Sequence, residues 1–333
     1  MFRLIEMVIP KGFEEEVTDL LKEYNVIELL DFEMEHELML FKILITTEES
    51  ESILDLLEKH FSHLNSFRIY IIPVQASIPR IEENIQKEGS GDNGKTDKKA
   101  RISREELYEN VMALSKANKV YFVMVILSSF VASIGVLTDN VAVIIGAMVI
   151  APLLGPNMGL SLATVLRDGD LAFIALKSIF VGIGTTIVVS VIIGTLVNFD
   201  PSIPAIALRT DVAIAGILLA FASGIAGSIA FTTDVSSALI GVMVAVALLP
   251  PLAVFGLLLG AGYYYLATGA FLLFLVNFVC INLAGVITFY VQKIRPLHTW
   301  EALKAYKLTY LAMGIWTFLI IILLVLIQVR KIL

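Results

Sequence analysis

The run DNVAVIIGAMVIAPLLGPNMG, Asp139 to Gly159, decides the fold. It is apolar enough for a lipid-buried helix, yet it opens with an acid, carries two prolines and three glycines, and ends beside an asparagine. Proline lacks the N–H and crowds the preceding turn, so each one frees backbone carbonyls. Inside a bilayer such groups are tolerated only against protein or a water-filled cavity. The run therefore predicts a broken membrane segment with something polar to enclose.

A second version follows, DVSSALIGVMVAVALLPPLAVFG, Asp234 to Gly256. Shifted by 95 residues, 128–156 matches 223–251 at 12 of 29 positions. The polar and special matches weigh most: Ser128/Ser223, Ser133/Ser228, Thr138/Thr233, Asp139/Asp234, Gly146/Gly241, Met148/Met243 and Pro156/Pro251. This spacing predicts a duplication whose units hold three spans each. An odd number of spans inverts the second unit, the architecture of secondary transporters that bind near the midplane. A re-entrant second segment would remove that parity argument and suit a channel.

The rest of the chain agrees with a membrane protein. Of 333 residues, 57% are hydrophobic and 17% charged, and mean hydropathy is +0.85, above the soluble norm. Residues 1–118 hold 24 of the 31 acids and 14 of the 24 bases. An acidic, water-facing part thus precedes the membrane part. No clustered basic face suggests nucleic acid. One cysteine, Cys280, excludes an intrachain disulfide and a multi-cysteine metal site, and reads as a core residue. Nothing in the pattern calls for a cofactor or a metal.

Residues 1–76 read as β-α-β-β-α-β: strands at 2–9, 26–34, 36–45 and 67–74, and amphipathic helices at 12–24 and 50–64. That order predicts a ferredoxin-like α+β domain, with both helices on one face of an antiparallel sheet. The fold names no function; assembly is favoured over ligand regulation. His60 and His63 share a helix face without an evident acid or cysteine partner, so surface histidines are expected. Residues 77–102 read as a polar, Gly- and Lys-rich flexible linker. Ser103 and Glu106 form a capping-box signature that opens a surface helix over 103–118.

Seven spans are predicted, at 119–137, 140–165, 171–197, 211–231, 235–259, 266–290 and 307–328. They group as a first repeat (119–197), a second repeat (198–292) and a C-terminal membrane helix (293–333). The Lys/Arg bias favours a cytoplasmic N-terminus and an outside C-terminus in the cell's inner (cytoplasmic) membrane.

Several residues could carry chemistry. Asp139 and Asp234 precede apolar helices at matching positions. They can cap those helices, or, as acids at membrane depth, form a cation or proton site. Pro152 and Pro156, and Pro250 and Pro251, mark the points expected to unwind. Asn157, Asn277 and Asn282 bring neutral polar groups into apolar surroundings, where interhelical hydrogen bonding competes with solute contact. Ser133 and Ser228, with Ser128, Ser129 and Ser223, give small polar faces for close packing or for lining a path.

The run SSFVASIGVLTDNVAVIIGAMVIAPLLGPNMG resembles the signature of the bacterial and archaeal uncharacterised hydrophobic domain proteins, domain of unknown function three-eight-nine. The resemblance covers about 119–290. It implies a polytopic inner-membrane protein without assigned enzyme activity, and an association with small-molecule transport, of nucleosides among others. One departure is Ala247, which stands where the first repeat has Pro152.

The sequence thus leads to a secondary transporter or facilitator for a small polar solute, nucleoside-like on the resemblance, with a coupling cation or proton. A homo-oligomer embedded in the lipid bilayer is expected. A channel with re-entrant segments, or a membrane-anchored ligand sensor, are the alternatives. An enzyme is not expected, since no nucleophile, metal set or acid–base constellation stands beyond the two separated aspartates.

Overall fold

The computed structural model describes residues 2–74, 102–233, 237–294 and 299–332. The chain forms two compact units, Met1–Leu107 and Tyr108–Leu333.

In the first unit the elements are β1 (Phe2–Pro10), α1 (Glu14–Leu21), β2 (Val26–Met34), β3 (Leu38–Thr46), α2 (Thr47–Phe61) and β4 (Arg68–Val74). The strands form one antiparallel sheet in the order β2-β3-β1-β4, the ferredoxin-like arrangement. Successive strand side chains point to opposite faces, so burial alternates residue by residue along β1 and β3. Ile5, Met7, Ile9, Phe41, Ile43 and Ile45 pack with Val17 and Leu21 of α1 and Ile53, Leu57 and Phe61 of α2 in one core. β3 begins at Leu38 rather than at 36, because His36 and Glu37 take positive φ (64° and 57°) to close the hairpin. The linker expected over 77–102 lies outside the described residues except for Ile102.

Arg3 shares the core face yet is 1% exposed. Its guanidinium meets Glu106 through two hydrogen bonds, 3.0 and 3.1 Å. Glu106 lies in the first turn of α3 (Arg104–Ser115). Ser103 Oγ accepts the Glu106 N–H at 3.2 Å, half of the expected capping box. The Glu106 carboxylate that would complete the box is on Arg3 instead, a stronger, charge-assisted partner.

The second unit is helical: α4 (Lys119–Leu137), α5 (Val141–Ile150), α6 (Leu154–Leu166), α7 (Gly169–Leu196), the short α8 (Pro204–Ala207), α9 (Ile214–Thr232), α10 (Ser237–Gly260), α11 (Tyr264–Val291) and α12 (Thr299–Ile332). Among the described residues, α4, α7, α9, α11 and Met313–Arg330 of α12 are long and apolar enough to cross a membrane. The α5–α6 pair makes a sixth if it counts as one span. The remaining expected span corresponds to α10, whose apolar stretch Ala247–Gly260 is shorter.

Two prolines four apart shape the α5–α6 joint. Pro152 sits between the helices, and α5 and α6 meet at 53°. Pro156 falls in the first turn of α6, where its missing N–H would have had no helical partner anyway. At the second motif the expected break is absent. α10 runs through Pro250 and Pro251 as one helix. Pro251 cannot donate to the carbonyl of Ala247, four residues back. Asn277 of α11 supplies the missing donor, with its Nδ2 2.7 Å from the Ala247 carbonyl oxygen.

Helix crossings recur at the 95-residue offset seen in the sequence. Ser129 Oγ donates to Thr186 Oγ1 (2.9 Å) between α4 and α7. Ninety-five residues on, Gly224 lies against Ile281, where an added Cβ would come within 2.8 Å of the Ile281 carbonyl oxygen. Ser133 Oγ meets Ser190 Oγ at 3.1 Å, and a Cβ on Gly285 would lie 3.3 Å from Ser228 Oγ. Ser190 of α7 presses on Gly256 of α10, while Ser161 of α6 presses on Gly285 of α11. In this last pair the serine and the glycine exchange helices. Thr138 and Thr233 each bond back four residues, to Ile134 (2.9 Å) and Ile229 (3.0 Å) carbonyls.

Candidate functional site

The α5–α6 joint brings three of the expected residues together. Pro156 and Asn157 are buried in the first turn of α6, and Asn282 of α11 is 0% exposed. Asn157 Nδ2 returns to the Leu153 carbonyl at 2.7 Å. Its Oδ1 accepts from Asn282 Nδ2 at 3.0 Å, and the same Nδ2 reaches the Phe278 carbonyl at 2.9 Å. Ser161, one turn on from Asn157, bonds to the Asn157 and Asn282 carbonyls at 3.1 and 3.2 Å. In an apolar setting such a network holds only if its members are satisfied.

A small cavity of about 10 Å³ adjoins the network, lined by Tyr121, Leu153, Pro156, Asn157, Ile179, Ile183, Leu248, Leu252, Phe274 and Phe278. That is roughly the room of one water molecule. Eight of these residues fall into four pairs separated by 95: Leu153/Leu248, Asn157/Leu252, Ile179/Phe274 and Ile183/Phe278. Only Leu153/Leu248 is an identity, so matching residue types could not find the other three pairs. The offset, carried beyond 156 to α6, α7 and α11, could have.

The other expected residues sit elsewhere. Asn277 is on α11 with its amide spent on Ala247, and its buried Oδ1 has no hydrogen-bond partner among the described residues. Pro251 is buried inside α10. Ser133 lies on the α4–α7 crossing. Ser228 bonds back to the Gly224 carbonyl at 2.8 Å and contacts Met158 Sδ at 3.4 Å, beside the network. Asp234 lies outside the described residues.

Asp139 is exposed, with φ of 50°, in the turn between α4 and α5. The cap of α5 is its neighbour Asn140, whose Oδ1 accepts the Val143 N–H at 3.2 Å. Asp139 Oδ1 accepts instead from the Ala205 N–H of α8 at 2.9 Å. Burial pulls the nearby Arg209 guanidinium below its ordinary pKa, and the Asp139 charge counters that shift. Arg209 donates to the Ala205 carbonyl at 2.6 Å. Asp139 thus fastens a loop, ten residues of α5 away from the joint, a rise of about 15 Å. Among the described residues no group of three or more His, Cys, Asp or Glu side chains could hold a metal ion.

At the opposite end of the helices, Tyr108 of α3 donates to Asp168 at 2.7 Å. Burial, then that bond, pushes its pKa up to about 12. The last turn of α3 bears on α6 and α7: Ser115 Oγ donates to the Gly155 carbonyl at 3.1 Å, and Ser178 Oγ to the Ser115 carbonyl at 2.6 Å. Gly155 and Gly159 leave no room for a Cβ beside Leu114 and Ser115.

A helical membrane-type unit with a broken helix pair, in a chain that also carries a small antiparallel sheet unit, is the class these features define. Residues 148–283 match the family described as Domain of unknown function (DUF389). An uncharacterized protein of Methanocaldococcus jannaschii is 36% identical over 325 residues, covering 98% of each chain. The chain belongs to this family of unknown function. No solved structure matches it.

Proposed function

We propose that this protein is a secondary transporter or facilitator of a small polar solute, nucleoside-like in size and polarity. On this reading its two three-span units are inverted repeats in the cell's inner (cytoplasmic) membrane. The N-terminus is cytoplasmic and the C-terminus outside. The observation that carries the proposal is the lining of the cavity, eight of whose ten residues form four pairs 95 apart. A cavity lined in equivalent pairs by two related units lies where their symmetry axis would run. Transporters of inverted repeats bind there and rock one unit against the other.

The lining suits the task. Apolar and aromatic walls with a few fixed polar groups are the usual make-up of a small-molecule site, and Asn157 supplies both a donor and an acceptor. At about 10 Å³ the cavity is closed to any solute, so passage requires helix movement, for which the Pro152 joint is the natural pivot. Away from the cavity lining, Asn277 Oδ1, a buried acceptor without a partner among the described residues, is a second polar group for a solute donor or a coupling cation. The test is uptake by proteoliposomes, screened over nucleosides and other small polar solutes. Saturable uptake that Asn157→Leu abolishes is expected. Solutes that bind tightly yet never cross the bilayer would remove the proposal.

A channel is the second reading, favoured by the 53° bend. α5 has ten residues, about 15 Å or half a bilayer, a length that suits a re-entrant segment. Single-channel current and flux without saturation would select it.

A further inference from the structure

Among the described residues of the first unit, nothing packs on one face of its sheet, and from this we infer that the sheet is a docking surface for a second copy of this chain. The register places Leu30, Phe32 and Met34 of β2, Leu38, Leu40 and Leu44 of β3, Leu4 and Val8 of β1, and Tyr70 and Ile72 of β4 on this face. Leu30, Phe32, Met34, Tyr70 and Ile72 are 40–49% exposed. A large contiguous apolar patch marks an interaction site. The face measures about 19 by 30 Å at ordinary strand spacing and rise. Two such faces would bury more than about 1,100 Å², above the ~1,000 Å² that a specific interface needs.

Charge selects the occupant. Residues 1–74 hold 16 acids and 6 bases, so an anionic membrane surface or a nucleic acid would be repelled. At the centre of the face stands one ion pair, Lys42 with Glu6 at 2.9 Å, on neighbouring strands in register, while Glu28 of β2 and Arg68 of β4 lie on the same face at its two edges. Sheets pack face to face with their strands roughly aligned, about 10 Å apart. A two-fold axis parallel to the strands, between β1 and β3, lays β1 of one copy over β3 of the other. Glu6 then meets Lys42 of the second copy, Leu4 meets Leu44, and Val8 meets Leu40. An axis across the strands would instead set Glu6 over Glu6, a destabilising like-charge arrangement. The face is therefore self-complementary in one orientation, a requirement of an isologous dimer. This inference is independent of the transport reading.

The test uses the full chain in nanodiscs, with Cys280→Ser to remove the native thiol. Copies carrying Val8→Cys and copies carrying Leu40→Cys, differently tagged and co-expressed, should join through a short bismaleimide. Adding Glu6→Lys to both, or Lys42→Glu to both, gives like charges across the axis, and crosslinking should fall about tenfold, a 1.4 kcal/mol effect. Placing Glu6→Lys on one copy and Lys42→Glu on the other should restore it. Phe32→Glu, at an exposed position that leaves the core intact, should lower crosslinking independently. No Val8–Leu40 link without the charge changes, or no rescue by the mixed pair, overturns the proposal. So does a face shielded by residues 75–101 or by added vesicles.

Discussion

Asn282 has no exposed surface, and each of its amide hydrogens already has an acceptor, at Asn157 and Phe278. Asn282→Leu strands the Asn157 Oδ1 acceptor, a loss of about 1–3 kcal/mol. Thermal unfolding in detergent should register it. Asn157→Leu should cost a similar amount, and the double variant less than the sum, because both belong to one network. At the other end of the chain, Arg3→Met leaves the Glu106 carboxylate without its two charge-assisted bonds, about 2–3 kcal/mol. Hydrogen exchange along β1 should then accelerate. A single sequence hides Arg3. Its strand alternates cleanly, and the carboxylate that receives its guanidinium on the core face, Glu106, is 103 residues away. Asp139 was visible as a special residue, but its partner at Ala205 lies 66 residues on. Local reading therefore made it a candidate cap for α5, a task that Asn140 performs.

Pro152 and Pro156, two prolines four residues apart, make the first break legible in the sequence. The same logic failed at Pro250 and Pro251, because the donor that keeps α10 whole comes from another helix. A proline reports the carbonyl it frees, and tertiary structure decides what becomes of it. This account can be checked by a double-mutant cycle. Asn277→Ala alone should cost about 1–3 kcal/mol, since it leaves the Ala247 carbonyl unpaired. In a Pro251→Ala background the backbone N–H returns to that carbonyl, and Asn277→Ala should then be nearly neutral. Glycine positions give a second test. A Cβ on Gly194 of α7 would collide with the Leu257 backbone of α10, so Gly194→Ala should destabilise by about 1–3 kcal/mol. Gly184, on the same helix, has nothing within 4 Å of an added Cβ. Gly184→Ala should be neutral or stabilise by up to about 1 kcal/mol.

Across the whole molecule, two organisations coexist: a sheet unit with one packed and one open face, and a helical unit whose contacts repeat at a fixed offset. The sheet unit was legible because the two-residue alternation and the turns agree. The helical unit was legible where polar identities survived, at Thr138/Thr233 and Pro156/Pro251. It was illegible at the cavity, where bulk changes across the 95-residue offset, from Ile179 to Phe274 and from Ile183 to Phe278. The proposed orientation makes its own prediction. An impermeant maleimide should label Ser202→Cys, in the loop after α7, on intact cells. Asp170→Cys, at the start of α7, should react only after permeabilisation.

The hydrogen bond from Asn277 to Ala247 has a further consequence. The residues 95 earlier are Gly182 and Pro152, so only the second of the proposed repeats has an amide to splint its helix. If the two proposed repeats exchange shapes during a transport cycle, the exchanged state must give up that bond. A net worth of about 1 kcal/mol is a population ratio of about fivefold. On the proposed transport function, the protein without any gradient would then rest facing one compartment more often than the other, a default side fixed by a single amide.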